Sequence, residues 1–235
     1  MSPLITWNAL IVAATLIGGW LPLVRSWSER ALHLFVAVAT GVFLGAVFLH
    51  LLPELGEQNP SPAVAFLVPL SILVLFGIER IGLKANGPSH AVLSHATLIG
   101  LAVHSLAGGF GLAVGGIVPR LQAAIFLSII GHKSVEAFSL ATVLLLAGHG
   151  WRRVALRVGL LALMTPTGCA LGALSLAALP LASPVAPMAV ATGTFLYVAL
   201  LDLLPEVLHQ RQDLVAKVGL MIVGLVFMGI LRGFS

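Results

Sequence analysis

The chain has 235 residues, 59% of them hydrophobic and 9% charged, with a mean hydropathy of +1.10; soluble domains carry roughly 25% charged residues. That composition excludes a soluble domain, and the long unbroken apolar runs exclude a barrel, whose strands alternate over about ten residues. The net charge of +4 is spread over the breaks between apolar runs and forms no patch for nucleic acid.

A membrane span needs about twenty mostly apolar residues. On that criterion the sequence predicts an all-α polytopic membrane protein, a single domain over 1–235. Its eight helices fall at roughly 4–24, 31–52, 62–79, 91–117, 121–148, 154–180, 187–208 and 214–231. Short breaks rich in Pro, Gly and charge separate them, as at Gln58-Asn-Pro-Ser-Pro62 and Gly148-His-Gly-Trp-Arg-Arg153. The first run lacks a basic leader and reads as a mature helix. The lone Cys169 excludes an intrachain disulfide, so any metal would be held by His and carboxylate.

Placing the N-terminus outside puts Arg25, Arg30, Arg80, Lys84, Arg152, Arg153, Arg157, Arg211 and Lys217 in cytoplasmic breaks, nine of the twelve basic residues. The positive-inside rule therefore predicts both termini extracytoplasmic. Gly41-Val-Phe-Leu-Gly-Ala-Val-Phe-Leu-His-Leu-Leu-Pro-Glu-Leu55 aligns without gaps on Gly193-Thr-Phe-Leu-Tyr-Val-Ala-Leu-Leu-Asp-Leu-Leu-Pro-Glu-Val207, with eight of fifteen positions identical. The copies lie on helices two and seven and so run oppositely. An inverted 3+2+3 repeat of this kind is a signature of secondary transporters, with the substrate site near the midplane.

Helix four carries His104 near its middle, with Gly100, Gly108, Gly111 and Gly115 as a small-residue stripe. Such a stripe admits a close neighbour, most simply helix five, which follows after a short turn. Helix five carries Gly131-His-Lys-Ser-Val-Glu136. Even low estimates put one charged side chain at the bilayer centre at about 2.5–3.5 kcal/mol, and three ionisable residues fall here within five positions. His132 and Glu136 are i and i+4, one turn apart on one face. With His104 at matching depth they form a candidate first shell for Zn²⁺, open at a fourth position. The plainer reading is an internally neutralised Lys133–Glu136 pair with histidines that tie helices together.

Weaker candidates sit nearer the membrane surfaces. His50 and Glu54 lie toward the outer end of helix two, Asp202, Glu206 and His209 toward the inner end of helix seven, and His90 and His95 at the inner end of helix four. They are read as candidate vestibule residues, with interfacial snorkelling as the alternative. Pro69 and Pro166 are expected to kink helices three and six.

Together these motifs resemble the ZIP (Zrt-/Irt-like) metal-ion transporters over essentially the whole chain. Helix four of that family has His-Asn/Ser-x-x-acidic-Gly, against His104-Ser105-Leu-Ala-Gly108-Gly109 here. Helix five has His/Gln-x-x-x-Glu-Gly/Ala, against His132-Lys133-Ser-Val-Glu136-Ala137. Helix six often has an acidic or small polar residue before proline, against Thr165-Pro166. The resemblance implies eight helices with both termini outside, alternating access, transport toward the cytoplasm and a homodimer. It implies a cell-membrane location, the inner membrane in a prokaryote, with Zn²⁺ as substrate and no cofactor. Members with two adjacent metal positions draw the second from residues that match Ser105, Lys133 and Thr165. Here those are two hydroxyls and an ammonium, and Gly108 replaces an acidic ligand. The expectation is a single-ion site in which Lys133 stands in for the second cation.

Two other classes compete. An intramembrane metalloprotease would need His-Glu-x-x-His, which His132-Lys-Ser-Val-Glu136 does not match. A metal-free scaffold would use the same ionisable residues only to tie helices together.

Overall fold

The computed structural model of the chain describes residues 3–82, 89–117, 119–178, 184–209 and 212–233. Eight helices are long and apolar enough to cross a membrane. They are α1 (Pro3–Leu23), α2 (Glu29–Glu57), α3 (Pro62–Arg80), α4 (Ser89–Val114), α5 (Pro119–Leu146), α6 (Trp151–Ala178), α7 (Val185–His209) and α8 (Leu214–Arg232). There are no strands among the described residues.

Local chemistry sets several of these ends. Ser28 opens α2 by accepting from the Ala31 N–H at 3.2 Å, and Ser61 opens α3 by accepting from Val64 at 3.4 Å with Pro62 at the first helical position. At the end of α5, Gly148 adopts φ 76°. Its N–H bonds the Leu145 carbonyl while His149 N–H bonds Leu144, the pattern of a Schellman stop.

The largest departure from expectation is the end of α2. Pro53 suggests a stop at Leu52, yet the helix continues to Glu57. A π turn over Ala46–Leu51 makes this possible: Leu52 N–H bonds the Val47 carbonyl five residues back, and Pro53 then enters the first turn of the renewed α-helix, where its missing N–H does least harm. The repeat copy does the same. Val198–Leu203 is a π turn, Leu204 N–H bonds Ala199, and Pro205 follows. Helix α6 likewise runs through Pro166 without a break.

The helices pack in two sets. In one, α1 lies on α5 and α4 on α6; in the other, α2 lies on α8 and α3 on α7. Glycines bring backbones together inside each set. A Cβ on Gly18 would strike the Ser134 carbonyl, on Gly109 the Thr165 carbonyl, on Gly168 the Leu106 carbonyl, on Gly41 the Met221 carbonyl and on Gly193 the Val68 carbonyl. Between the sets, α4 meets α7 and α2 meets α5, and the nearest atom to a Cβ on Gly100 is a Val198 methyl. The expected stripe on α4 is thus divided. Gly108 and Gly115 face α5 side chains, but the closest backbone approach of α4 is to α6, through Gly109. The buried core fills the junction, with Phe43 of α2 and Phe195 of α7 at a centroid distance of 4.4 Å.

Candidate metal centre

His104 of α4 and His132 and Glu136 of α5 converge, with one ligand atom from each lying within 4.8 Å of the others and all three residues buried. His104 Nδ1 lies 2.9 Å from the Ala191 carbonyl of α7. A carbonyl only accepts, so Nδ1 carries the proton and the Nε2 lone pair faces His132. The two Nε2 atoms are 3.4 Å apart. Two imidazoles sharing a tetrahedral zinc at about 2.0–2.1 Å have nitrogens about 3.3–3.4 Å apart, so the pair is already at coordination distance. The Ala191 carbonyl supplies the outer bond that fixes a metal-ligating imidazole. Phe195 stacks on the His104 ring at 4.1 Å and walls off His132 at 5.3 Å.

Glu136 is held from the other side. Lys133 Nζ, 1% exposed, lies 3.0 and 3.1 Å from the two Glu136 oxygens and 2.6 Å from Ser105 Oγ. All three ammonium donors are therefore used. Ser105 Oγ lies 2.7 Å from both Glu136 Oε1 and the Leu101 carbonyl, one hydroxyl proton between two acceptors. Thr165 is buried, but its Oγ1 has no hydrogen-bond partner and reaches none of these groups.

A cavity leads to the two histidines. It is lined by Leu51 and Glu54 of α2, Gly108 and Gly111 of α4, Ser128 of α5 and Met188 of α7, among others, and offers about 50 Å³ to the centres of water molecules. One water needs about 10–15 Å³ on that measure, so a partly hydrated ion fits. Its lining comes from the late part of α2 and α4 and the early part of α5 and α7. It therefore opens on the face that carries the chain termini. Beyond the histidines, Leu101, Leu140 and Val198 are fully buried in the apolar core.

Of the other sequence candidates among the described residues, only Glu54 lines the cavity. His50 instead bonds the Met228 carbonyl of α8 at 3.0 Å. Asp202 is buried and accepts from Thr97 at 3.3 Å, and Glu206 lies 3.1 Å from His33. His209 is exposed. His95 packs edge-on to His149 at 6.2 Å, and the His90 side chain lies outside the described residues. Glu79, next to Arg80 at the inner end of α3, accepts from the Tyr197 hydroxyl. No sequence pattern marks Ala191, whose contribution is a backbone carbonyl, or Phe195 as a wall of the site. The repeat alignment singled out Phe195 only as a match to Phe43.

The fold and the site define a class: a polytopic, all-helical membrane protein with a buried two-histidine, one-carboxylate centre between its helices. The chain matches the family model of the ZIP Zinc transporter over residues 2–95 and 84–232, and it belongs to that family. It is similar to zinc transporter ZIP1 of Takifugu rubripes, 25% identical over 281 residues that cover 92% of this chain and 93% of the relative. It is also similar to zinc transporter ZIP2 of Homo sapiens, at 26% over 295 residues and 93% of each chain. Zinc transporter ZIP9-B of Xenopus laevis is 26% identical over 273 residues, 90% of each chain. Members of this family are transporters and not enzymes.

Proposed function

We propose that this protein carries a divalent metal ion, zinc foremost, across the cell membrane toward the cytoplasm through His104, His132 and Glu136. The observation that carries the reading is the pair of Nε2 atoms 3.4 Å apart in the wall of the cavity. One imidazole is locked by Ala191 with its lone pair facing the other. Three protein ligands leave one position for water and for exchange.

Support for inward transport comes from the same cavity. With seven described basic residues from Arg25 to Lys217 on the opposite face, the positive-inside rule favours an extracytoplasmic placement of the termini and the cavity. An inverted 3+2+3 repeat is supported by the packing. Exchanging α1 with α6, α2 with α7, α3 with α8 and α4 with α5 turns the principal helix contacts into themselves. The two π turns also fall in register. Alternating access then proceeds by motion of the α1/α4/α5/α6 set, which holds all three ligands, against the other four helices. In this reading Lys133 is a fixed cation that occupies the second metal position and neutralises Glu136, so one ion moves per cycle. Nothing in the reading calls for a cofactor, and the site works within one chain whether or not a homodimer forms.

Proteoliposomes containing the purified protein and a zinc-sensitive dye test this. Saturable uptake is expected, with loss of at least tenfold in His104→Ala or His132→Ala. Competition with Fe²⁺, Mn²⁺, Co²⁺ and Cd²⁺, all acceptable to His and carboxylate, ranks the substrates. Absence of uptake for every metal in the unaltered protein would favour a metal-free scaffold.

A further inference from the structure

The corner between α5 and α6, on the face away from the cavity, concentrates positive charge, with no carboxylate paired to it among the described residues. α6 opens with Trp151-Arg152-Arg153, has no acidic residue in its first turn, and adds Arg157 one turn later. The positive end of a helix dipole favours anions and disfavours cations, so this placement is unfavourable unless something negative sits there. His149, held by the Schellman stop, interacts with Arg157, His95 and Arg153. Burial first, and then the neighbouring Arg157, pull it below the ordinary histidine range. His149 Nε2 and Arg157 Nη1 are both buried with no hydrogen-bond partner.

Three other cations of the molecule are matched by carboxylates. Arg30 holds Asp213 at 2.7 Å, Lys133 holds Glu136, and Arg232 faces Glu57 at 4.0 Å. Among the described residues no carboxylate pairs with Arg152, Arg153 or Arg157. Trp151 is 63% exposed with the Arg152 guanidinium 5.4 Å from its ring, the arrangement of a side chain seated at the membrane interface.

We propose that this corner binds a phosphate-bearing anion, with Arg157 Nη1 and His149 Nε2 as its inner hydrogen-bonding atoms and Arg153 at its rim. The guanidinium fork suits phosphate oxygens. At this depth the natural source is the headgroup of an anionic phospholipid, since basic pockets between helices on the cytoplasmic side take such groups. Inorganic phosphate offers the same oxygens from solution. The site is separate from the His104–His132 centre, so its loss would not remove a metal ligand.

Native mass spectrometry of the delipidated protein, re-exposed to vesicles of phosphatidylcholine with or without phosphatidylglycerol, tests the proposal. The unaltered chain is expected to retain one phosphatidylglycerol and to weaken about tenfold for it in both Arg157→Gln and His149→Gln, the loss of one charge-assisted hydrogen bond. Arg25→Gln, an equal charge change elsewhere on the same face, should retain it. Thermal unfolding in detergent and Arg157→Lys verify that the variants fold. Binding of radiolabelled orthophosphate that disappears in Arg157→Gln, without lipid retention, assigns the same site to a soluble anion. Equal retention in Arg157→Gln, His149→Gln and Arg25→Gln, or no anion held by the unaltered chain, overturns it.

Discussion

In the proposed function Lys133 decides how the centre works. An ammonium with 1% exposure is tolerable because both Glu136 oxygens and Ser105 satisfy its three donors. Breaking such a pair by removing one partner destabilises by about 3–5 kcal/mol. Lys133→Ala should therefore lower thermal stability in detergent, and zinc should restore it, because the freed carboxylate gains a metal in place of the ammonium. The zinc-induced rise in melting temperature is expected to exceed that of the unaltered protein, while uptake slows through late release. An unchanged shift and unchanged uptake would contradict the coupling. Gly108 gives a second expectation. Gly108 lines the cavity and a Cβ there meets only Ile129, at 3.7 Å, so Gly108→Asp adds a ligand without a clash. Zinc affinity measured by calorimetry should rise about tenfold or more, and no change would mean that position 108 does not face the ion.

These residues differ in how far the sequence revealed them. The i, i+4 spacing fixes His132 and Glu136 on one face, and matching depth points to His104. Nothing in a side-chain pattern marks the Ala191 carbonyl that sets the His104 tautomer. Vestibule candidates chosen by depth alone scattered to other partners, because depth does not say which way a side chain turns. His50 found a backbone carbonyl on α8 and Glu206 found His33.

At the scale of elements, the glycine contacts draw the boundary along which motion is expected. Within each set of four helices a glycine lets one backbone touch another, and the contact cannot slide by even one methyl group. Between sets the nearest atom to such a glycine is a side-chain methyl, as at Gly100 and Val198. A disulfide between cysteines at positions 14 and 134 joins α1 to α5, where Ser134 already bonds the Ala14 carbonyl at 3.1 Å, and should leave zinc uptake intact. One between positions 100 and 198 joins the sets and should block uptake until reduced. Blockade by the first and not the second would reverse the assignment of moving parts. The eight spans were legible from apolar length. The division was not, because Gly109 and Gly168 lie off the stripe that regular spacing suggests, and the end of α2 was hidden by a proline whose π turn has no simple sequence mark.

For the whole molecule, the cavity and the charge distribution point the same way: the cavity lies toward the face that carries the termini, and seven of the described basic residues, from Arg25 to Lys217, lie toward the other. Labelling of cysteines introduced at positions 56 and 148, after Cys169 is replaced, should reach position 56 from outside intact cells and position 148 only after permeabilisation; the opposite pattern would invert the direction of transport. The central claim, one ion between His104, His132 and Glu136 with Lys133 in place of a second, is tested most directly by anomalous diffraction from zinc-soaked crystals. One peak is expected, within about 2.0–2.2 Å of His104 Nε2, His132 Nε2 and a Glu136 oxygen, with the Lys133 ammonium still beside the carboxylate. Two strong peaks at this centre with Lys133 turned away, or none there under conditions that support uptake, would contradict it.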